Sequence, residues 1–133
     1  MDIANIKCWF VYHVKSNETN PPKLKYAVIA CIPKEPMGFL INSHITRWLE
    51  RHPNLLVCDP IIPLSDHPFL KRDSYVDCQK LFQFHDWEIV KKAGPLSKQA
   101  KADILEAIHL CPDLSRQHKR MILRKEGYPG YNE

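Results

Sequence analysis

The sequence has little glycine, no closely spaced pair of cysteines and no long apolar run. Four glycines stand against eleven prolines. Because proline fixes φ and removes a backbone donor, long uninterrupted helices are excluded from most of the first 70 residues. No apolar run approaches the roughly 20 residues of a membrane-spanning helix. Hydrophobic residues make up 44% of the chain and charged residues 26%, which is typical of a single globular domain of this length.

The start of the chain also lacks the features of a secretory signal. Met1 to Lys7 has no basic start and no long apolar segment. We therefore expect a cytoplasmic protein without membrane association.

Five cysteines are present, and their spacing excludes the common cysteine motifs. The number is odd and no pair has C-x-x-C spacing, so neither a zinc ribbon nor a redox motif is indicated. Four of them lie in or beside strand-like runs, where a reduced cysteine packs as a small apolar residue. We expect core thiols at positions 8, 31, 58, 78 and 111.

The charge is mildly basic and unevenly distributed. The net charge is +4, and basic side chains crowd the last segment: Arg116, His118, Lys119, Arg120, Arg124 and Lys125. Such a cluster can attract phosphate backbones, or it can be a solvated helix face. The sequence leaves both interpretations open.

Runs of β-branched and aromatic residues predict short strands separated by a proline-rich loop from Lys15 to Lys25. The run from Tyr26 to Ile32 is apolar throughout, which indicates a central strand buried on both sides. The predicted strands are Lys7–Val14, Tyr26–Ile32, Phe39–Ile41, Leu55–Cys58 and Asp73–Cys78.

The C-terminal part has helical signals. Ser97 is a good N-cap for a helix from Lys98 to His109 that packs through Ile104, Leu105 and Ile108. Asp113 is the predicted cap of a second helix ending near Lys125. The fold class is therefore mainly β with C-terminal α, a small bent barrel flanked by helices. We expect one domain over residues 1–125 and a flexible tail over 126–133.

The segment from His44 to His52 is ambiguous. Its apolar spacing suits one or two helical turns, capped by Asn42 or Ser43, with Trp48 buried. His44, Arg47, Glu50 and His52 could suggest a catalytic helix, but a surface position beside Trp48 is the simpler interpretation.

Several short motifs occur in the order typical of a known family. Asp73-Ser74-Tyr75-Val76 is followed by Leu81, by Gly94-Pro95-Leu96-Ser97, and then by Ile104 and Ala107. From Lys7 to about Leu110 the sequence resembles the MazF/PemK endoribonuclease toxins. This resemblance implies an SH3-like (MazF/PemK-like) barrel, a homodimer, cleavage of single-stranded RNA without a metal or other cofactor, and an acidic antitoxin protein as partner.

The resemblance also assigns catalytic residues. Lys25 stands at the family's loop arginine, and Tyr26 replaces the proline that follows it. Ser65 stands at the family's strand-end hydroxyl. His67, two residues later, is the candidate for an additional acid or base because imidazole titrates near neutrality. A lysine supplies charge to the phosphate but no bidentate fork.

Further residues are candidates for RNA contact. His13, Lys23 and Tyr26 lie beside the predicted loop, and Trp9 and Tyr26 could stack bases. Trp9 could equally be a core residue.

Two alternatives stand beside the toxin hypothesis. The change from Arg-Pro to Lys-Tyr favours a catalytically inactive MazF-like binding module, for example a phage or mobile-element protein that acts on a defence complex. A nucleic-acid binder that uses the basic C-terminal helix is the other alternative. No metal site is predicted, since Asp59, Asp66, Asp73 and Asp77 follow no ligand spacing.

Overall fold

The computed structural model describes residues 1–16 and 23–131. Over these ranges the chain forms an antiparallel sheet followed by two helices. The strands are β1 Phe10–Ser16, β2 Lys23–Cys31, β3 Met37–Asn42, β4 Ile61–Ile62, β5 Ser74–Val76, β6 Phe82–Gln83 and β7 Ile89–Pro95. The α-helices are α1 Arg47–Glu50, α2 Lys98–Leu110 and α3 Arg116–Lys125, with 3-10 turns at Ile3–Asn5, Pro53–Cys58, Leu64–Asp66 and Asp86–Glu88.

The strand order is β4-β5-β3-β2-β1-β7, and β6 also pairs with β3. The predicted fold class, mainly β with C-terminal helices, is confirmed. In the part of the chain that the structure describes, β4 and β7 are the two ends of this order and do not pair, so the sheet is bent but open. β2 lies in the middle and is fully buried from Ala27 to Cys31, as its continuous apolar run predicted.

The predicted helix α2 is also confirmed. The Ser97 hydroxyl accepts a hydrogen bond from the Ala100 N–H at 3.1 Å, which satisfies a free donor of the first turn. Ile104 and Ile108 are buried in the core, and Leu105 packs at its margin. The cap of α3 is Ser115 rather than Asp113, since the Ser115 hydroxyl accepts from the His118 N–H.

Several local predictions were wrong. The segment Leu55–Cys58 belongs to a 3-10 turn, which Pro53 at its first position favours over a strand. Trp48 is 52% exposed, because Leu49 is the residue of α1 that points to the core. The N-cap of α1 is Thr46 rather than Asn42 or Ser43.

The first hairpin also differs from its prediction. β1 begins at Phe10 because Trp9 has a positive φ of 64°, a conformation that does not continue a strand. Lys15, Ser16 and Lys23 to Lys25 lie in paired strands rather than in a loop. The remainder of the predicted loop, residues 17–22, lies outside the described residues.

The prediction of five reduced thiols was wrong for one pair. Cys58 and Cys111 form a disulfide, with Cα atoms 5.0 Å apart. The 3-10 turn brings Cys58 next to the end of α2, within the Cα separation that a disulfide requires. Cys8, Cys31 and Cys78 are free.

Some residues of the segment expected to be a flexible tail contact the rest of the molecule. Glu126 binds the Trp9 indole N–H at 3.0 Å, and the Tyr131 hydroxyl lies 2.9 Å from Nδ1 of His109. Residues 132–133 lie outside the described residues. None of the helices in the described ranges is long and apolar enough to cross a membrane.

Candidate functional site

A cavity of about 460 Å³ lies where three neighbouring strands meet. Tyr26 near the start of β2 pairs with Ile41 near the end of β3, and Asn42 pairs with Tyr75 in β5. Because antiparallel pairing brings strand starts and strand ends together, the segments that flank these positions share one rim. The cavity is lined by Leu24, Lys25, Tyr26, Ile41, Asn42, Ser43, His44, Thr46, Leu70, Lys71, Arg72 and Ser74.

The charge of this cavity is positive. Its lining includes Lys25, Lys71 and Arg72 but no aspartate or glutamate. Lys25 is half-buried, and neither lysine forms an ion pair with any described residue. The cavity therefore suits an anionic ligand.

Arg72 and His44 form the closest polar contact in the cavity. Nη1 of Arg72 lies 3.0 Å from Nε2 of His44 and 3.4 Å from its Nδ1. A guanidinium only donates, so the imidazole nitrogen is the acceptor in this contact and carries no proton there. The pair thus places an imidazole beside a permanent cation.

Besides Tyr26, three residues of the cavity lining carry hydroxyl groups, and their hydrogen bonds differ. The Ser74 hydroxyl donates to the Arg72 carbonyl at 3.1 Å, and the Thr46 hydroxyl accepts from the Leu49 N–H as the cap of α1. Ser43 is exposed directly after β3, and its hydroxyl has no hydrogen bond to the described residues. Ser43 is therefore the hydroxyl that a ligand can use without disrupting a structural contact.

Tyr26 forms one wall of the cavity. Its hydroxyl donates to the Phe69 carbonyl at 3.0 Å, and its ring lies 4.5 Å, centroid to centroid, from the His13 ring. Burial, with a smaller contribution from the nearby Lys91 ammonium, lowers the pKa of His13. His13 therefore stays uncharged down to a lower pH than a free imidazole, and its ring packs against the Tyr26 ring.

The other residues suggested by the sequence are not in the cavity lining. Ser65 is exposed on the 3-10 turn Leu64–Asp66. His67 is fully buried: its Nδ1 lies 2.8 Å from the Pro63 carbonyl, and its Nε2 accepts from the Ser97 N–H at 3.0 Å. Both nitrogens are occupied, so His67 ties the turn after β4 to the start of α2.

Lys23 and Trp9 also lie apart from the cavity lining. Lys23 is exposed at the start of β2. Trp9 lies directly before the start of β1. Lys25 pairs with Val14, which is near the opposite end of that strand. The Trp9 indole N–H donates to Glu126, and the Lys101 ammonium lies 5.3 Å from its ring centroid. These contacts favour the interpretation of Trp9 as a packing residue.

Sequence reasoning missed Arg72 and Ser43 and set His44 aside. The signal for Ser43 and His44 was available, since both follow directly on the predicted strand that ends at Ile41. Arg72 carried no such signal, because it precedes β5 and reaches the cavity only through the pairing of β5 with β3. In the described residues no cluster of three or more metal-ligating side chains is present.

Comparison with solved structures identifies the fold. The chain is similar to the Mycobacterium tuberculosis toxin MazF-mt6, with a TM-score of 0.60. The match covers 80% of this chain and 98% of that chain at 13% sequence identity. No protein-family model matches the sequence, and no curated protein matches it. The structural likeness therefore establishes the architecture: the chain has a MazF-like fold.

Proposed function

We propose that the protein is a metal-independent endoribonuclease that cuts single-stranded RNA, the toxin of a type II toxin–antitoxin system in the cytoplasm. The observation that carries this proposal is the group formed by Lys25, His44 and Arg72 in one cavity without carboxylates. These side chains supply a cation, a proton acceptor and a second cation, which are the groups that RNA cleavage through its own 2′-hydroxyl needs. The MazF-like fold is consistent with this activity.

The chemistry can be written with this chain's residues alone. The His44 imidazole takes the proton of the 2′-hydroxyl while that hydroxyl oxygen attacks phosphorus. The bond from phosphorus to the 5′ oxygen breaks, and the Lys25 ammonium protonates that oxygen. The products are a 2′,3′-cyclic phosphate and a 5′-hydroxyl. The Arg72 guanidinium moves away from His44, binds two phosphate oxygens and stabilises the charge that develops on them. The Ser43 hydroxyl donates a hydrogen bond to a phosphate oxygen.

The test is cleavage of a single-stranded RNA oligonucleotide in EDTA. His44→Ala, Arg72→Ala and Lys25→Ala are each expected to lower kcat/KM by about 10²-fold or more, the usual scale for loss of a proton-transferring or charge-stabilising group. Ser65→Ala, and His52→Ala as a matched histidine control on the same segment as His44, are expected to cleave like wild type. Equal activity of the His44 and His52 variants would refute this site.

Lys25→Arg tests the resemblance directly. A guanidinium at position 25 restores the side chain typical of the family, and it binds phosphate at two points. We expect kcat/KM to stay equal or rise, and a loss as large as that of Lys25→Ala would place Lys25 outside the family's arginine role.

A homodimer and an acidic antitoxin are part of the same proposal. The carboxylate-free cavity favours an acidic protein segment for the same reason that it favours RNA. Light scattering of the purified protein measures the predicted dimer, and a mass equal to one chain at micromolar concentration would contradict it.

A catalytically inactive binding module is the second candidate. Lys25-Tyr26 replaces the family's Arg-Pro, and the Tyr26 hydroxyl is fixed to the Phe69 carbonyl. If neither wild type nor Lys25→Arg cleaves RNA while a partner binds tightly, this candidate replaces the enzyme.

A further inference from the structure

The exposed face of α3 is strongly basic. This ten-residue helix carries five lysines and arginines and no acidic residue, whereas the complete chain has a net charge of only +4. The face lies along an open groove of about 730 Å³ lined by Arg116, Gln117, Arg120, Met121, Arg124 and Lys125. A second groove of about 770 Å³ on its other side includes His109 and Tyr131.

The lysines and the arginines of α3 differ in their contacts. The Lys125 ammonium donates to the Ala30 carbonyl at 2.8 Å, and the Lys119 ammonium donates to the His109 carbonyl at 3.2 Å. Arg116, Arg120 and Arg124 are all exposed and have no partner among the described residues. The lysines therefore help to hold the helix in place, and the arginines are available to a ligand.

The three arginines follow each other at intervals of four residues, so they line up on one side of the helix. Like charges at this spacing repel and weaken a helix, and Arg116 in the first turn also opposes the helix dipole. An anionic ligand with repeated charges would relieve this repulsion, and guanidinium groups bind phosphate at two points.

Resting on the proposed RNA substrate, we propose that the exposed face of α3 is a second RNA-binding surface that holds the phosphate backbone apart from the cavity. Lys125 contacts Ala30 near the end of β2, whereas Lys25 lies near its start. Five residues of strand separate Lys25 from Ala30 by about 16 Å along β2, so the distance between the cavity and the Lys125 end of α3 is within the length of a short RNA strand. His109 and Tyr131 in the adjoining groove provide rings on which a base can stack.

A membrane surface fits this face less well. The apolar residues Ile122 and Leu123 of α3 are buried in the core. An interfacial helix needs an exposed apolar side to enter the lipid, and the exposed side of α3 offers mainly arginines.

The test measures binding of a single-stranded RNA whose 2′-hydroxyls are methylated, so that it cannot be cut through them, to the His44→Ala protein. In this background, Arg116→Gln, Arg120→Gln and Arg124→Gln are combined, since glutamine keeps helix propensity but loses the charge. The control combines Lys7→Gln, Lys34→Gln and Lys98→Gln, which removes the same charge from exposed positions elsewhere. Fluorescence anisotropy at several salt concentrations gives Kd and its salt dependence for both.

The α3 variant is expected to bind at least about tenfold more weakly than the control, with a slope of log Kd against log salt reduced by about 2, as the loss of three phosphate contacts to a single strand predicts. A triple arginine-to-lysine variant should keep most of the slope. Equal Kd and slope for the α3 variant and the control would overturn the proposal. The proposal would also be overturned if a poly-aspartate peptide or anionic vesicles bound tightly to the protein and RNA did not displace them. Because cleavage is not measured, failure here is distinct from failure of the proposed catalytic site.

Discussion

Asp59 is a carboxyl group held in surroundings that disfavour its charge. It is only 7% exposed, and its Oδ1 has no hydrogen-bond partner among the described residues. Burial, together with the nearby Asp77 carboxylate, raises the pKa of Asp59 to about 7. In the unfolded chain an aspartate has a pKa of about 3.9. Folding is therefore favoured when Asp59 is protonated, and this contribution is lost as the pH rises from about 4 to about 7.

Asp59→Asn is expected to raise the free energy of unfolding at pH 8 by on the order of 1–3 kcal/mol and to change it little at pH 4, because asparagine imitates the neutral acid. Urea denaturation at the two pH values measures the effect. Asp66→Asn, an exposed control, should show no such difference, and an Asp59 variant that is less stable at pH 8 would contradict this account.

A variant of His67 tests whether this residue has a structural or a catalytic role. Its two hydrogen bonds and full burial mean that His67→Ala leaves a cavity and an unpaired Ser97 N–H. The expected loss of stability is about 2–4 kcal/mol. The folded fraction of His67→Ala should still cleave RNA. A variant that is stable but has lost cleavage would indicate that His67 acts as an acid or base.

At the scale of elements, the sequence correctly predicted the strands and helices whose residues form a continuous pattern. The apolar run of β2 and the capped, periodic α2 were found because each carries its own local signal. The turn at Leu55–Cys58 was mistaken for a strand because four apolar residues have no distinguishing period. Trp48 was placed inside because apolar spacing does not show which side of a single helical turn meets the core.

The packing of α2 against the sheet predicts a large effect of Ile104→Ala. The side chain is 1% exposed within the main core, so truncation should cost about 2–5 kcal/mol. Leu105→Ala, at the margin of the core, serves as the matched control and should cost less. Thermal or urea unfolding measures both, and an equal cost for the two would mean that the helix packs through a different face.

At the scale of the whole molecule, the candidate site depends on contacts that no local pattern records. Lys25, His44 and Arg72 come from three separate segments, and they meet only because β3 pairs with both β2 and β5. The resemblance led to Lys25, which lies on a strongly patterned strand. It could not lead to Arg72, because nothing in Lys71-Arg72-Asp73 shows which segment lies opposite.

The Cys58–Cys111 disulfide gives a prediction for the whole molecule. The two cysteines are 53 residues apart, and closing a loop of this size stabilises the folded state by about 4 kcal/mol in the chain-entropy view. Dithiothreitol should lower Tm of the wild type but not of the Cys58→Ala/Cys111→Ala variant. An unchanged wild-type Tm under complete reduction would show that the bond adds no stability.

The same bond gives the molecule a covalent ring. Strands β4 to β7 and the whole of α2 lie within the ring closed by Cys58 and Cys111, whereas β1 to β3 lie outside it. A protease that cuts once inside the ring, for example between β4 and Arg72, would leave both fragments joined until the sulfurs are reduced. Arg72 belongs to the ring, and Lys25 and His44 belong to the open chain before it. A nicked, oxidised protein would thus keep all three groups in one covalent molecule.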